Sequence, residues 1–152
     1  MLTRYRFRHT WLVREEPERA FDVLADLGTY PSWWPQIREV RRIDADRASV
    51  RVLAYLPYTL RLRLHRRVQD RRQGLLEVAI AGDLEGFARW RIEPGDGGAV
   101  LLYEQEVRTR KRSLNVLAPV ARWAFILNHR AMMRSGERGL RSFLRRPAGT
   151  AG

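Results

Sequence analysis

Four polar side chains stand where the surrounding pattern calls for apolar ones: His9, Gln105, Asn128 and His129. His9 interrupts the period-two row Tyr5, Phe7, Trp11, Val13, and Gln105 interrupts Ala99, Leu101, Tyr103, Val107. Asn128 and His129 sit in the middle of a helical apolar stripe, where Leu or Ala would be cheaper. Burying an unpaired polar group costs on the order of 1–3 kcal/mol. Such residues therefore either satisfy one another internally or present a polar handle that orients a ligand carbonyl or hydroxyl. Acid–base chemistry is a third use, for which Tyr55, Tyr58, Tyr103 and His129 are the available groups, although no pair of them has a spacing that demands catalysis. There is no nucleophile elbow, no Gly-rich phosphate loop and no HExxH, and His and carboxylates are too scattered to predict a metal site or a cofactor. Cys is absent, which removes disulfides and thiolate ligands.

The elements that must hold these side chains are readable from periodicity. The first strand carries Tyr5 to Val13; Glu15-Glu16-Pro17 then opens a helix whose apolar side is Phe21, Leu24, Ala25 and Leu27, with Gly28 as a left-handed stop. Tyr30-Pro31-Ser32-Trp33-Trp34-Pro35 follows, so much rigid aromatic area that it is expected to plug the core. Further strands are expected at 37–45 (an edge), 48–56, 60–65, 75–80, 87–92 and 99–107, with Pro94-Gly95-Asp96-Gly97-Gly98 as the clearest hairpin turn. From Ser113 the period becomes helical, and a main helix from Pro119 to Leu144 would place Phe125, Asn128 or His129, Met132, Gly136, Gly139 and Phe143 on one stripe. A single domain over residues 1–146 with a flexible tail at 147–152 is the expected organisation of these 152 residues.

A formal charge of +12 raises the question of an anionic partner. Of the 29 basic residues only Lys111 is lysine, a bias that GC-rich codons produce. Most arginines alternate with apolar residues, as in Leu60-Arg61-Leu62-Arg63-Leu64, which describes a solvated sheet face; His65 belongs to that face. The local concentrations at Arg66-Arg67 with Arg71-Arg72, and at residues 108–112, come without a nucleic-acid motif, so no nucleic-acid partner is expected. No apolar run approaches the ~20 residues that cross a bilayer, and the first residues lack a signal peptide's apolar core, which makes a cytoplasmic location the default.

Several pieces together resemble the START-like (polyketide cyclase/dehydrase, helix-grip) superfamily, in particular its small bacterial single-domain members. They are the Pro17–Asp26 run, the Tyr30/Trp34/Pro35 corner, Gly97-Gly98 before the last strand, and Asn128-His129 with Met133 and Gly136. The resemblance spans residues 5–145 and implies an α+β helix-grip fold: a curved antiparallel sheet of about seven strands around a long C-terminal helix, with two short helices after the first strand. It also implies a cavity for a lipid, quinone, sterol-like molecule or polyketide. Inward-facing positions of the strands and the helix give the expected ligand-binding residues: His9, Trp11, Leu62, Trp90, Tyr103, Gln105, Phe125, Asn128, His129 and Met132. Three functions stay open: a carrier or binding domain, a cyclase/dehydrase-type enzyme, and a membrane-associated accessory protein similar to coenzyme Q-binding proteins. For the last, Trp123, Ile126 and Leu127 fall off the core stripe beside Arg122 and Arg130 and would suit an anionic membrane surface. The alternative is that they pack under the Trp33-Trp34 corner or in a homodimer; monomer and homodimer are both open.

Overall fold

The computed structural model describes residues 4–53, 59–109 and 118–145. Tyr55, Tyr58, the basic residues 110–112 and the tail at 147–152 lie outside them. Seven strands form one curved antiparallel sheet: β1 (Arg4–Val13), β2 (Ile37–Arg42), β3 (Arg47–Leu53), β4 (Thr59–Asp70), β5 (Leu75–Gly82), β6 (Leu84–Gly95) and β7 (Gly98–Thr109). The spatial order is β1-β7-β6-β5-β4-β3-β2, so strands two to seven are a meander and the first strand closes against the last. Between β1 and β2 come α1 (Pro17–Ala25), a single 3-10 turn (Leu27–Thr29) and the short α2 (Tyr30–Trp33). The long C-terminal helix α3 spans Ala118–Leu144.

Alternation sets the inward faces. Tyr5, Phe7, Trp11 and Val13 are buried on β1, while Arg4, Arg6, Arg8 and Thr10 are exposed. Cross-strand register brings Phe7 opposite Gln105, His9 opposite Tyr103 and Trp11 opposite Leu101. β4 runs past the expected end at His65 to Asp70, with exposed His65, Arg67 and Gln69 alternating with half-buried Arg66, Val68 and Asp70.

Helix α1 starts with Pro17 in its first turn and buries Ala20, Phe21 and Leu24. It does not end on a left-handed glycine. Asp26 ends it instead: its amide returns to the Val23 carbonyl, and its carboxylate accepts from the Gly28 amide at 3.2 Å, opening the 3-10 turn. The Tyr30 hydroxyl donates to the Leu24 carbonyl at 2.6 Å, which fastens α2 back onto α1.

On α3 the buried stripe is Phe125, His129, Met133, Gly136, Leu140 and Leu144. The expected stripe had the right period but a rotated phase, because successive steps of three and four residues can be taken in either order. Met132, Gly139 and Phe143 flank the stripe, half-buried. The helix is fastened to the aromatic corner and to the sheet edge. Trp33 and Trp34 are both buried; the Trp34 indole Nε1 donates to the Met132 carbonyl at 3.0 Å, and its ring packs on Trp11 with centroids 5.4 Å apart. On the open edge of β1, Glu137 accepts from the Leu12 amide at 3.3 Å and Arg141 donates to the Leu12 carbonyl at 2.9 Å.

Candidate functional site

The sheet curls around α3 without meeting it everywhere, and a cavity of about 330 Å³ remains between them. Its walls follow from the alternation already described. Val50 and Val52 of β3, Leu60, Leu62 and Leu64 of β4, and Val78 and Ile80 of β5 point inward and face Phe125 and Met132 of α3. The aliphatic side chains of these three strands leave space between sheet and helix, and that space is largely apolar. Tyr30 and Trp34 close one side, and the rim is polar, with Asp26, Arg42, Asp44, Arg47 and Arg66.

One end of this apolar space is built differently. Gln105, buried on β7, accepts through Oε1 from two donors: the Tyr103 hydroxyl and the His129 ring Nε2, the latter at 3.1 Å. An acceptor oxygen at that distance fixes the proton of a neutral imidazole on Nε2. Nδ1 of His129 is buried and has no hydrogen-bond partner. The ring stacks on Phe7, with centroids 3.6 Å apart and planes 9° from parallel. Burial, with a smaller contribution from the nearby His9, pushes the His129 pKa down to about 3. Burial likewise raises the Tyr103 hydroxyl above its ordinary value. Both groups are therefore neutral near pH 7, and the cluster is a hydrogen-bonding surface without charge.

Of the residues expected at a ligand site, Leu62, Trp90, Tyr103, Gln105, Phe125, Asn128, His129 and Met132 line the cavity together. His9 and Trp11 do not. Trp11 is buried among Trp33, Trp34 and Trp90, where the aromatic corner occupies the space in front of it. His9 is half-buried behind His129, with ring centroids 5.3 Å apart. Burial, and then the charge of Arg130, lowers its pKa. Val50, Val52, Val78 and Ile80 are wall residues beyond those expected from sequence; their alternation within β3 and β5 is the signal that points to them. Among the described residues no three His, Asp or Glu side chains converge as metal ligands, and no helix is long and apolar enough to cross a membrane.

Comparison with known proteins agrees with this architecture. Solved structures with the same fold include TTHA0849 from Thermus thermophilus, at a TM-score of 0.72 and 14% identity over 92% of this chain and 99% of that one. The ZhuI aromatase/cyclase from Streptomyces sp. R1128 superposes at 0.71 and 17% identity, covering 98% of this chain and all of that one (100%). The two-domain aromatase/cyclase BexL of the BE-7585A biosynthetic pathway superposes at 0.71 and 13% identity, with 95% of this chain matched to 51% of that one. At such identities the likeness carries the fold. Comparison with curated proteins gives no match. The family model described as polyketide cyclase/dehydrase and lipid transport matches residues 4–146. With nearly the whole chain matched, and with the sheet, corner and helix in place, this protein belongs to the polyketide cyclase/dehydrase and lipid transport family.

Proposed function

We propose that the protein binds a hydrophobic small molecule (a lipid, quinone, sterol-like or polyketide compound) in the cavity between sheet and α3. The Tyr103–Gln105–His129 cluster then orients the ligand's polar end. The observation that carries this reading is the pairing of an apolar cavity of about 330 Å³ with one buried, uncharged polar cluster. A few placed polar groups in an otherwise apolar, largely enclosed space are what fix orientation in small-molecule sites. A carrier role is favoured over acid–base turnover. With a pKa of about 3, His129 is no proton donor at neutral pH and only a weak base.

The test is native mass spectrometry, with organic extraction, of protein purified from its own organism, alongside titration with an environment-sensitive apolar fluorophore. A co-purifying apolar compound, or fluorophore binding abolished by the cavity-filling Leu62→Trp, is the expected result. Protein that carries nothing, and binds the fluorophore equally with and without Leu62→Trp, would remove the cavity from any binding role.

A further inference from the structure

The exposed large apolar side chains among the described residues are Leu12, Ile43, Trp123 and Leu127, and the last two lie together on the outward face of α3. Trp123 is 68% exposed and Leu127 43% exposed, one turn apart. The same face continues through Arg130, Arg134 and Arg138, all exposed. Residues 118–145 contain six arginines and one acid, Glu137, and that carboxylate is committed to the Leu12 amide and to Arg141. Some arginines elsewhere are paired, as Arg89 is with Glu77, Arg47 with Asp44 and Arg71 with Asp22, whereas Arg61, Arg63 and Arg91 are exposed on the sheet without an exposed large apolar side chain beside them in the strand. Among the described residues, Arg130, Arg134 and Arg138 have no ion-pair or hydrogen-bond partner. Ile126, expected beside Trp123 and Leu127, turns inward and packs against the core, so the apolar part of this face is Trp123 with Leu127.

We propose that this face docks on an anionic lipid bilayer surface. An indole with a polar edge settles at the headgroup level, and a leucine one turn on reaches the acyl boundary beside it. Three unpaired guanidiniums in line along the helix match a plane of phosphates, which is the partner with the complementary charge. A second copy of the same face would bring arginine row against arginine row, and nucleic acid would leave Trp123 and Leu127 without an apolar partner. Phe125, Asn128 and His129 occupy the same two turns on the cavity side. Docking therefore sets the polar end of the cavity beside the membrane. The inference stands on the helix surface and holds whatever the cavity binds.

Co-sedimentation of the full chain with phosphatidylcholine vesicles, with and without phosphatidylglycerol, tests it at low and high salt. Binding is expected only with phosphatidylglycerol and to fall sharply in salt. Replacing Arg130, Arg134 and Arg138 together by Gln should weaken it on the order of a hundredfold. Trp123→Ala with Leu127→Ala should weaken it roughly tenfold. Because all five side chains are exposed, melting midpoints should hold, and replacing the exposed sheet arginines Arg61, Arg63 and Arg91 by Gln serves as the matched charge control. The proposal is overturned by absent vesicle binding, by binding lost equally in that control, by stronger binding to a duplex oligonucleotide, or by a stable dimer that buries Trp123.

Discussion

The carbonyl oxygen of Trp33 lies directly against Gly139 of α3, so closely that a Cβ on that glycine would overlap it. One turn earlier on the helix, a Cβ on Gly136 would come within 2.8 Å of the Trp34 indole nitrogen and 2.9 Å of the Trp11 ring. The two glycines are a groove cut to receive the aromatic corner. In an exposed helix Gly→Ala gains about 1 kcal/mol of propensity. Here Gly139→Ala should lose a net 1–3 kcal/mol, roughly the range for overpacking a core. Urea denaturation measures the sign, and a gain would mean that the corner does not sit in the groove.

Trp34 fills the space between that groove and Trp11, and its indole N–H holds the Met132 carbonyl. Trp34→Ala should therefore destabilise the fold by ~3–5 kcal/mol, the range for deleting a large buried aromatic. An unchanged melting midpoint would contradict this packing.

Acid should act on the fold through His129. Its pKa is about 3 when folded, against 6.5 for an unperturbed imidazole, so the unfolded chain takes up the proton first as pH falls. The sign follows: stability is full above the unfolded value and declines as pH drops towards 3. Between pH 8 and pH 5 the loss is about 2 kcal/mol from this group alone. His9, also lowered, adds to the loss in the same direction. His129→Leu should flatten most of that slope in denaturation curves collected across the range. A slope unchanged by His129→Leu would mean that the imidazole titrates normally.

For the cavity, the informative variants are those that keep shape and remove polarity. Tyr103→Phe deletes one of the two donors to Gln105, and His129→Leu deletes the other. At pH 8 each should change stability by no more than about 1–1.5 kcal/mol, the net worth of one hydrogen bond. Affinity for a hydroxyl- or carbonyl-bearing ligand should fall roughly tenfold per lost contact, by isothermal titration. Affinity that survives both replacements would assign the cluster to structure alone.

The strands with clean alternation were legible from residues alone, as in Leu60, Leu62 and Leu64 against Arg61 and Arg63. The second half of β4 was not, because its inward positions are taken by Arg66 and Asp70 beside Val68, and a test for apolar alternation fails on them. Residue chemistry singled out Gln105 and His129 as misplaced polar groups, and the fold brings them together. Their shared oxygen, and its third member Tyr103, depend on how the last strand faces the helix, which no local period encodes. Trp11 and His9 lie on the inward side of β1, a strand that contributes no residue to the cavity wall. They fail to reach it because Trp33, Trp34 and His129 come from other elements to stand in front of them.

Glu137 and Arg141 offer the edge of β1 one acceptor and one donor, the pair that a neighbouring strand would offer to Leu12. They thereby act as a register pin. Sliding α3 by one turn along the sheet would bring Met133 or Arg141 to the position of the Glu137 carboxylate; a thioether is only a weak acceptor for the Leu12 amide and a guanidinium is none. The helix has one seat against the sheet, and so the length of the cavity it covers is set by two side chains that never touch its contents.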